Sequence, residues 1–346
     1  MTPEAHLDAV RARLAHAAPL ALRRAAVAGG SPQALGLAVG LAETGVAVTL
    51  IEEDQHDVQR ARDALTRAGC AAGIALATDP SGATDAELVV EASGGPAALR
   101  LAHLVGMVRV APGALVVSLG AGVTLADLQG ALRGPVAVID TAAPPPAIGL
   151  VEILAGSDPR AEGLARRLGA LPVTVPDFTG ARLIAALEDA AEALVFEGST
   201  PWEVDAAAEA FGFDLGPCAA QDLRGLDIAH ARHRATGHAL PVVDRMVPEG
   251  RLGRKGGVGW YRYPGGGGRV IDPLVEDLAR EEAHFAGLIP RPVSDAEIQQ
   301  RLVAALTEAA RALTADPGVI DLISVMACGF PASRGGILHH AARGRP

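Results

Sequence analysis

The stretch "RRAAVAGGSPQALGLAVGLAETGVAVTLIEED", Arg23 to Asp54, decides the fold. "RRAAVAGG" reads as a short strand, "SPQALGLAVGLAETG" as a helix stopped by Gly45, and "VAVTLIEED" as a second strand ending in acids. A strand, a glycine turn, a helix and an acid closing the next strand form a dinucleotide-binding pattern. The turn is Gly29-Gly30-Ser31-Pro32-Gln33-Ala34, which keeps only the first of the fingerprint glycines. Ser31 stands where the backbone must approach a pyrophosphate, and its side chain is expected to crowd that approach. Ala34 is a tolerated substitute where the helix packs on the strand. Glu52 is placed to accept hydrogen bonds from an adenosine ribose, and an acid there favours NAD over NADP, whose extra phosphate it repels. Weak NAD binding with Gly29 at the pyrophosphate is one expectation; a sheet of this type that has lost its cofactor is the other.

Outward from this unit, "ELVVEAS" (87–93), "ALVVSLG" (114–120) and "VAVID" (136–140) are further Val-rich runs, as strands buried on both faces require. Their alternation with helices predicts a Rossmann-type, doubly wound parallel sheet over residues 23–176. Residues 1–22 read as one amphipathic helical extension. Beyond 176 the periodicity is helical, interrupted by the glycine-rich "GRKGGVGWYRYPGGGG" (253–268). Two tandem helical units are expected, at 177–290 and 291–346. They are marked by a repeat: "AAEALVFEGSTPWEVDAAAEAFGF" (190–213) resembles "LTEAARALTADPGVIDLISVMACGF" (306–330). Glu192 and Asp205 keep the spacing of Glu308 and Asp321, and a Gly-Phe pair follows each.

The net charge of −10 argues against nucleic acid as a partner, and 49% apolar residues are ample for a core. No apolar run is long enough to span a bilayer. The N-terminus is unlike a secretory leader, and Cys70, Cys218 and Cys328 have no metal-ligand spacing, so a cytoplasmic protein is expected. His230, His233 and His238, and the pair His339-His340, lack convergent Cys or carboxylate ligands, so no metal is expected. Lys255 is the only lysine, in a loop, which excludes lysine-based 3-hydroxyacid dehydrogenases. Asparagine is absent, so no mechanism that needs it can operate.

The helical half carries a more specific likeness. "FGFDLGPCAAQDLRGLDIA" (211–229), "RLGRKGGVGWYRYPGG" (251–266) and "ACGFPASRGGILHHA" (327–341) resemble the C-terminal domains of the 3-hydroxyacyl-CoA dehydrogenase family. The duplicated unit is similar to the dehydrogenase portion of the large bacterial fatty-acid oxidation proteins. The resemblance runs from about Arg23 to Ala341, and nothing in it resembles their enoyl-CoA hydratase domain. It implies a function in fatty-acid β-oxidation, with NAD as cofactor and an acyl-CoA substrate in the cleft between sheet and helical domains. It also implies a His that takes the 3-hydroxyl proton, a Glu that orients that His, and Ser and Asn residues that hold the substrate carbonyls.

Against that pattern the stretch "AVIDTAAPPPAIGLVEI" (137–153) is degenerate. Leu150-Val151-Glu152-Ile153 and the prolines Pro144 to Pro146 are kept, but Asp140 stands at the position of the His and Ala143 at that of an Asn. Ser118-Leu119-Gly120-Ala121-Gly122-Val123 replaces a Ser- and Asn-rich loop, Gly95 replaces a Glu, and no Asn lies among Ala181 to Ile184. Of the implied catalytic group only Glu152 survives. An Asp with an ordinary pKa is a weak base for an alcohol, although desolvation and a facing Glu152 would raise it, and the two could share one proton. Two functions follow as expectations: an impaired NAD-dependent dehydrogenase, or an inactive relative that binds nucleotide or acyl-CoA as a scaffold. Arg254 and Lys255 either meet CoA phosphates or form a solvated loop. Because both helical copies lie in one chain, an internal pseudo-dimer and a monomeric protein are expected.

Overall fold

The computed structural model describes residues 2–70, 73–94, 96–120, 122–141, 148–237 and 240–344. They form two compact units: residues 8–179, and residues 180–346 together with 1–7.

The first unit is built on eight strands: β1 Arg24–Ala28, β2 Ala47–Ile51, β3 Ile74–Ala77, β4 Leu88–Glu91, β5 Leu115–Leu119, β6 Val136–Thr141, β7 Leu150–Leu154 and β8 Leu171–Val175. They lie in the order β3-β2-β1-β4-β5-β6-β7-β8. The first six are parallel; β7 pairs antiparallel with β6, and β8 parallel with β7. The reversal has a simple cause. A parallel return needs a crossover of about a dozen residues or more, and the link from Thr141 to Leu150 is too short for one. The doubly wound parallel sheet expected from sequence is thus present, with β6–β7 as its antiparallel pairing. Helices α1 Pro3–Leu14, α2 Pro32–Glu43, α3 Gln55–Arg67, α4 Ala97–Val110, α5 Leu125–Ala131 and α6 Arg160–Arg167 complete the N-terminal half of the chain. The strands bury Val27, Leu50, Val90, Val117 and Ile139 against Leu37, Leu41 and Leu164 of the helices. The N-terminal helix is shorter than the sequence suggested. It stops at Leu14, ahead of Pro19, which disfavours helical backbone before it, and the Leu20 N–H is taken by the Gly163 carbonyl.

The second unit contains α7 Thr179–Glu197, α8 Pro201–Phe211, α9 Pro217–Arg224, α10 Leu226–Thr236, α11 Pro241–Met246, α12 Pro273–Phe285, α13 Asp295–Arg311, α14 Pro317–Cys328 and α15 Ile337–Arg343. The repeat seen in sequence is a repeat of capping. Asp205 on α8 accepts the Cys218 and Ala219 N–H groups that open α9, at 2.8 and 3.0 Å. Asp321 on α14 does the same for Leu338 and His339 of α15, at 2.7 and 3.0 Å. Gly216 and Gly336 precede those helices because a side chain there would collide with the capping aspartate. The copies also touch reciprocally. Gly212 packs on Pro331, Gly329 packs on Asp214, and Phe213 meets Phe330 edge to face at 5.6 Å. Reciprocal contacts between equivalent positions are the mark of a two-fold interface.

Candidate functional site

The strands β1, β2, β4, β5 and β6 end at one edge of the sheet, the edge where ligands bind in open α/β folds. Both groups of residues singled out in the sequence lie there.

At the glycine turn, Gly29 has φ +96° and a Cβ on it would stand 2.6 Å from Ser93 Cα, so only glycine lets the loop pass the end of β4. Gly30 lies directly beneath the Glu52 carboxylate, which a side chain at Gly30 would displace. Glu52 is buried. Its pKa is raised, first by burial and then by the neighbouring Asp57 charge, with Arg60 opposing. Ser31 is the N-cap of α2: its Oγ accepts the Ala34 N–H at 3.1 Å, and its hydroxyl donates to the Ala92 carbonyl at 3.1 Å. Ala34 is fully buried at the helix–sheet contact. Pro32 has no N–H, and the Leu35 N–H goes to the Ser31 carbonyl at 2.9 Å. Of the first-turn donors of α2, only the Gln33 N–H has no acceptor among the described residues.

Three strands away, Asp140 and Glu152 are direct partners in the antiparallel β6–β7 register. Such partners put their side chains on the same face of the sheet. Glu152 is buried, and its Oε2 accepts the Thr179 N–H at 2.7 Å. Asp140 is part-exposed by surface area, yet it is ringed densely enough that desolvation raises its pKa to about 6, against the Thr141 N–H that its Oδ1 accepts. Burial alone thus brings Asp140 near the ordinary imidazole value. Gly95, Ala121, Ala143 and Pro144 to Pro146 lie outside the described residues, as does His238. Ala181 to Ile184 sit in the first two turns of α7.

The structure adds a group that the motifs did not mark. Glu91, at the end of β4, is fully buried, and Arg100 of α4 pairs with it through Nε at 2.7 Å and through Nη2. Ser93 gives Glu91 Oε1 both its N–H and its hydroxyl, and Ser118 Oγ stands 3.4 Å from Oε2. The guanidinium lies so close over Gly122 that a side chain there would clash. The available signal was an acid closing the otherwise apolar run "LVVE", with an arginine in the helix that follows.

Among the described residues no cluster of His, Cys, Asp and Glu could hold a metal, and no helix is long and apolar enough to cross a membrane. His230 and His233 both hydrogen-bond Asp244, at 2.8 and 3.1 Å. Lys255 pairs with Asp227 at 2.5 Å, and Arg254 donates to the Gly266 carbonyl at 3.2 Å.

Residues 178–263 match the family described as "3-hydroxyacyl-CoA dehydrogenase, C-terminal domain". The chain is 29% identical to the peroxisomal bifunctional enzyme of Danio rerio over 94% of its own length and 52% of that protein's. It spans about half or less of the length of such curated relatives. Its fold is similar to that of 3-hydroxybutyryl-CoA dehydrogenase from Escherichia coli, at TM-score 0.69 and 19% identity, covering 94% of this chain and 92% of that one. The dehydrogenase part of multifunctional enzyme 1 from C. elegans is also similar, at TM-score 0.64 and 19% identity, covering 96% and 86%.

Proposed function

From a chain that belongs to the 3-hydroxyacyl-CoA dehydrogenase family through residues 178–263, we propose a cytoplasmic protein of acyl-CoA metabolism. It keeps a scaffold for nucleotide and acyl-CoA ligands but oxidises 3-hydroxyacyl-CoA slowly or not at all. The observation that carries this reading is the cross-strand pair Asp140–Glu152. Glu152 keeps the place of the orienting carboxylate, while the group beside it is an aspartate instead of an imidazole. Base strength is not the deficit, since Asp140 titrates near 6. Reach and company are. An aspartate is shorter than a histidine, one of its oxygens is held by the Thr141 N–H, and no asparagine exists to hold a substrate carbonyl. General acid–base catalysis contributes typically about 10²–10⁴-fold, and only when the base is within hydrogen-bond reach of the proton.

The test separates binding from chemistry. In calorimetry acetoacetyl-CoA should bind the full chain, and the bound thioester should remain unreduced when NADH is added. Absence of acetoacetyl-CoA binding at millimolar ligand would remove the acyl-CoA part of the proposal.

The reciprocal Gly212–Pro331 and Gly329–Asp214 contacts bury the repeat faces inside one chain, which supports a monomer. Multi-angle light scattering should give a single species near 35.1 kDa; a stable dimer joined through α8 and α13 would contradict it.

A further inference from the structure

We infer that the first turns of α1 form an acid-released strap. It closes the second helical copy through His6, in the role that Tyr261 plays in the first copy, and it lets go when His6 and His339 both carry a proton.

The two capping aspartates are closed by different donors. In the first copy Asp205 caps α9, and the Tyr261 hydroxyl donates to its Oδ2 at 2.7 Å. In the second copy Asp321 Oδ1 takes the Leu338 and His339 N–H groups of α15. The donor to Asp321 Oδ2 comes from the far end of the sequence: it is His6 Nε2, at 2.9 Å. Residues 1–7 accordingly group with the helical unit, and Leu7 is buried. Pro3 passes so close to Gly335 that a Cβ there would stand 3.1 Å from the Pro3 Cα.

The His6 ring also stacks on His339, with centroids 4.5 Å apart and planes at 22°. This arrangement accommodates one proton but not two. A charge on His6 is matched by the Asp321 carboxylate. His339 Nε2 is buried with no hydrogen-bond partner among the described residues, so a proton added there has no acceptor. Burial holds the His339 pKa below its ordinary 6.5, joined by the charges of His6, Arg343 and the amino terminus, with the Asp321 charge opposing. Once the strap has left, the ring meets water and takes up its proton more readily. The open state therefore binds more protons than the closed one below 6.5, and closure weakens as pH falls through that value.

Hydrogen exchange of the full chain, read by mass spectrometry at pH 7.5 and 5.5 with times scaled for intrinsic exchange, tests this. At pH 7.5 the α1 peptide and the Leu338 and His339 amides should be protected. At pH 5.5 their protection should fall about fivefold, within the tenfold per pH unit that one proton can supply, while α7 keeps its own. Protection of α1 that does not change with pH overturns the inference, as does an equal loss in α7, which would mark global unfolding. His339→Phe keeps a stacked ring without a titrating nitrogen, so its α1 should stay protected at both pH values. Loss at pH 5.5 in that variant would remove His339 from the device. His6→Ala should leave α1 unprotected at both pH values, and full protection there would show that His6 does not close the copy.

Discussion

Arg100→Met should destabilise the sheet unit by about 3–5 kcal/mol, because it strands Glu91 as an uncompensated buried carboxylate. Glu91 is 0% exposed and Arg100 is its only cationic partner among the described residues. Ser93 and Ser118 donate to the same carboxylate, but hydroxyl hydrogen bonds do not replace a charge. Methionine keeps the length and packing of the side chain, so the loss reports the charge. For a unit of this size the cost corresponds to a fall in Tm of roughly 6–20 °C. The double variant Glu91→Gln, Arg100→Met should recover most of the loss, since removing both charges leaves no buried ion. A single variant melting within about 1 °C of wild type would show that the pair does not hold this edge of the sheet.

Glu192→Gln should stabilise the chain increasingly as pH rises from 4.5 to about 8. Glu192 is buried, its Oε1 accepts the Val242 and Val243 N–H groups at 2.9 and 3.0 Å, and its Oε2 has no partner among the described residues. Desolvation, joined by the charges of Asp244 and Asp189, raises its pKa from 4.5 to about 8. The folded state therefore binds a proton that the unfolded state has already released throughout this window, and stability falls with rising pH. Its contribution is full below about 4.5 and lost by about 8. At 1.36 kcal/mol per unit, the difference between variant and wild type should grow to about 3–5 kcal/mol and then level off. Asp140, Asp205 and Asp222, each raised to about 6, pull in the same direction but are common to both proteins and cancel. Urea unfolding at four pH values between 5 and 9 provides the comparison, and a difference independent of pH would contradict the assignment.

What could be seen in the sequence was what local pattern encodes. The first strand–turn–helix–strand unit was legible because Gly29, Ala34 and Glu52 sit at spacings set by backbone geometry. The helical repeat was legible because Asp205 and Asp321 each cap a following helix, which fixes the intervening length. β3 escaped because "IALA" is short and alanine-rich, and the reversal at β7 escaped because "LVEIL" has the same composition in either direction. Ser31 was visible as a departure from the fingerprint, but whether its hydroxyl faces the turn or the helix is a matter of rotamer. The Glu91–Arg100 pair depends on where α4 crosses the sheet, which no spacing reveals. The facing of Asp140 and Glu152 depends in the same way on the register of two strands.

The family resemblance and the proposed replacement of the catalytic His by Asp140 meet in one question, whether this chain performs the oxidation at all. The direct measurement is NADH oxidation with acetoacetyl-CoA by the wild type and by Asp140→Ala, at matched protein concentration and at pH 7, above the Asp140 pKa of about 6. The account predicts very slow or undetectable turnover by both proteins. Robust wild-type turnover that disappears in Asp140→Ala would contradict it and make the Asp140–Glu152 pair a working carboxylate base.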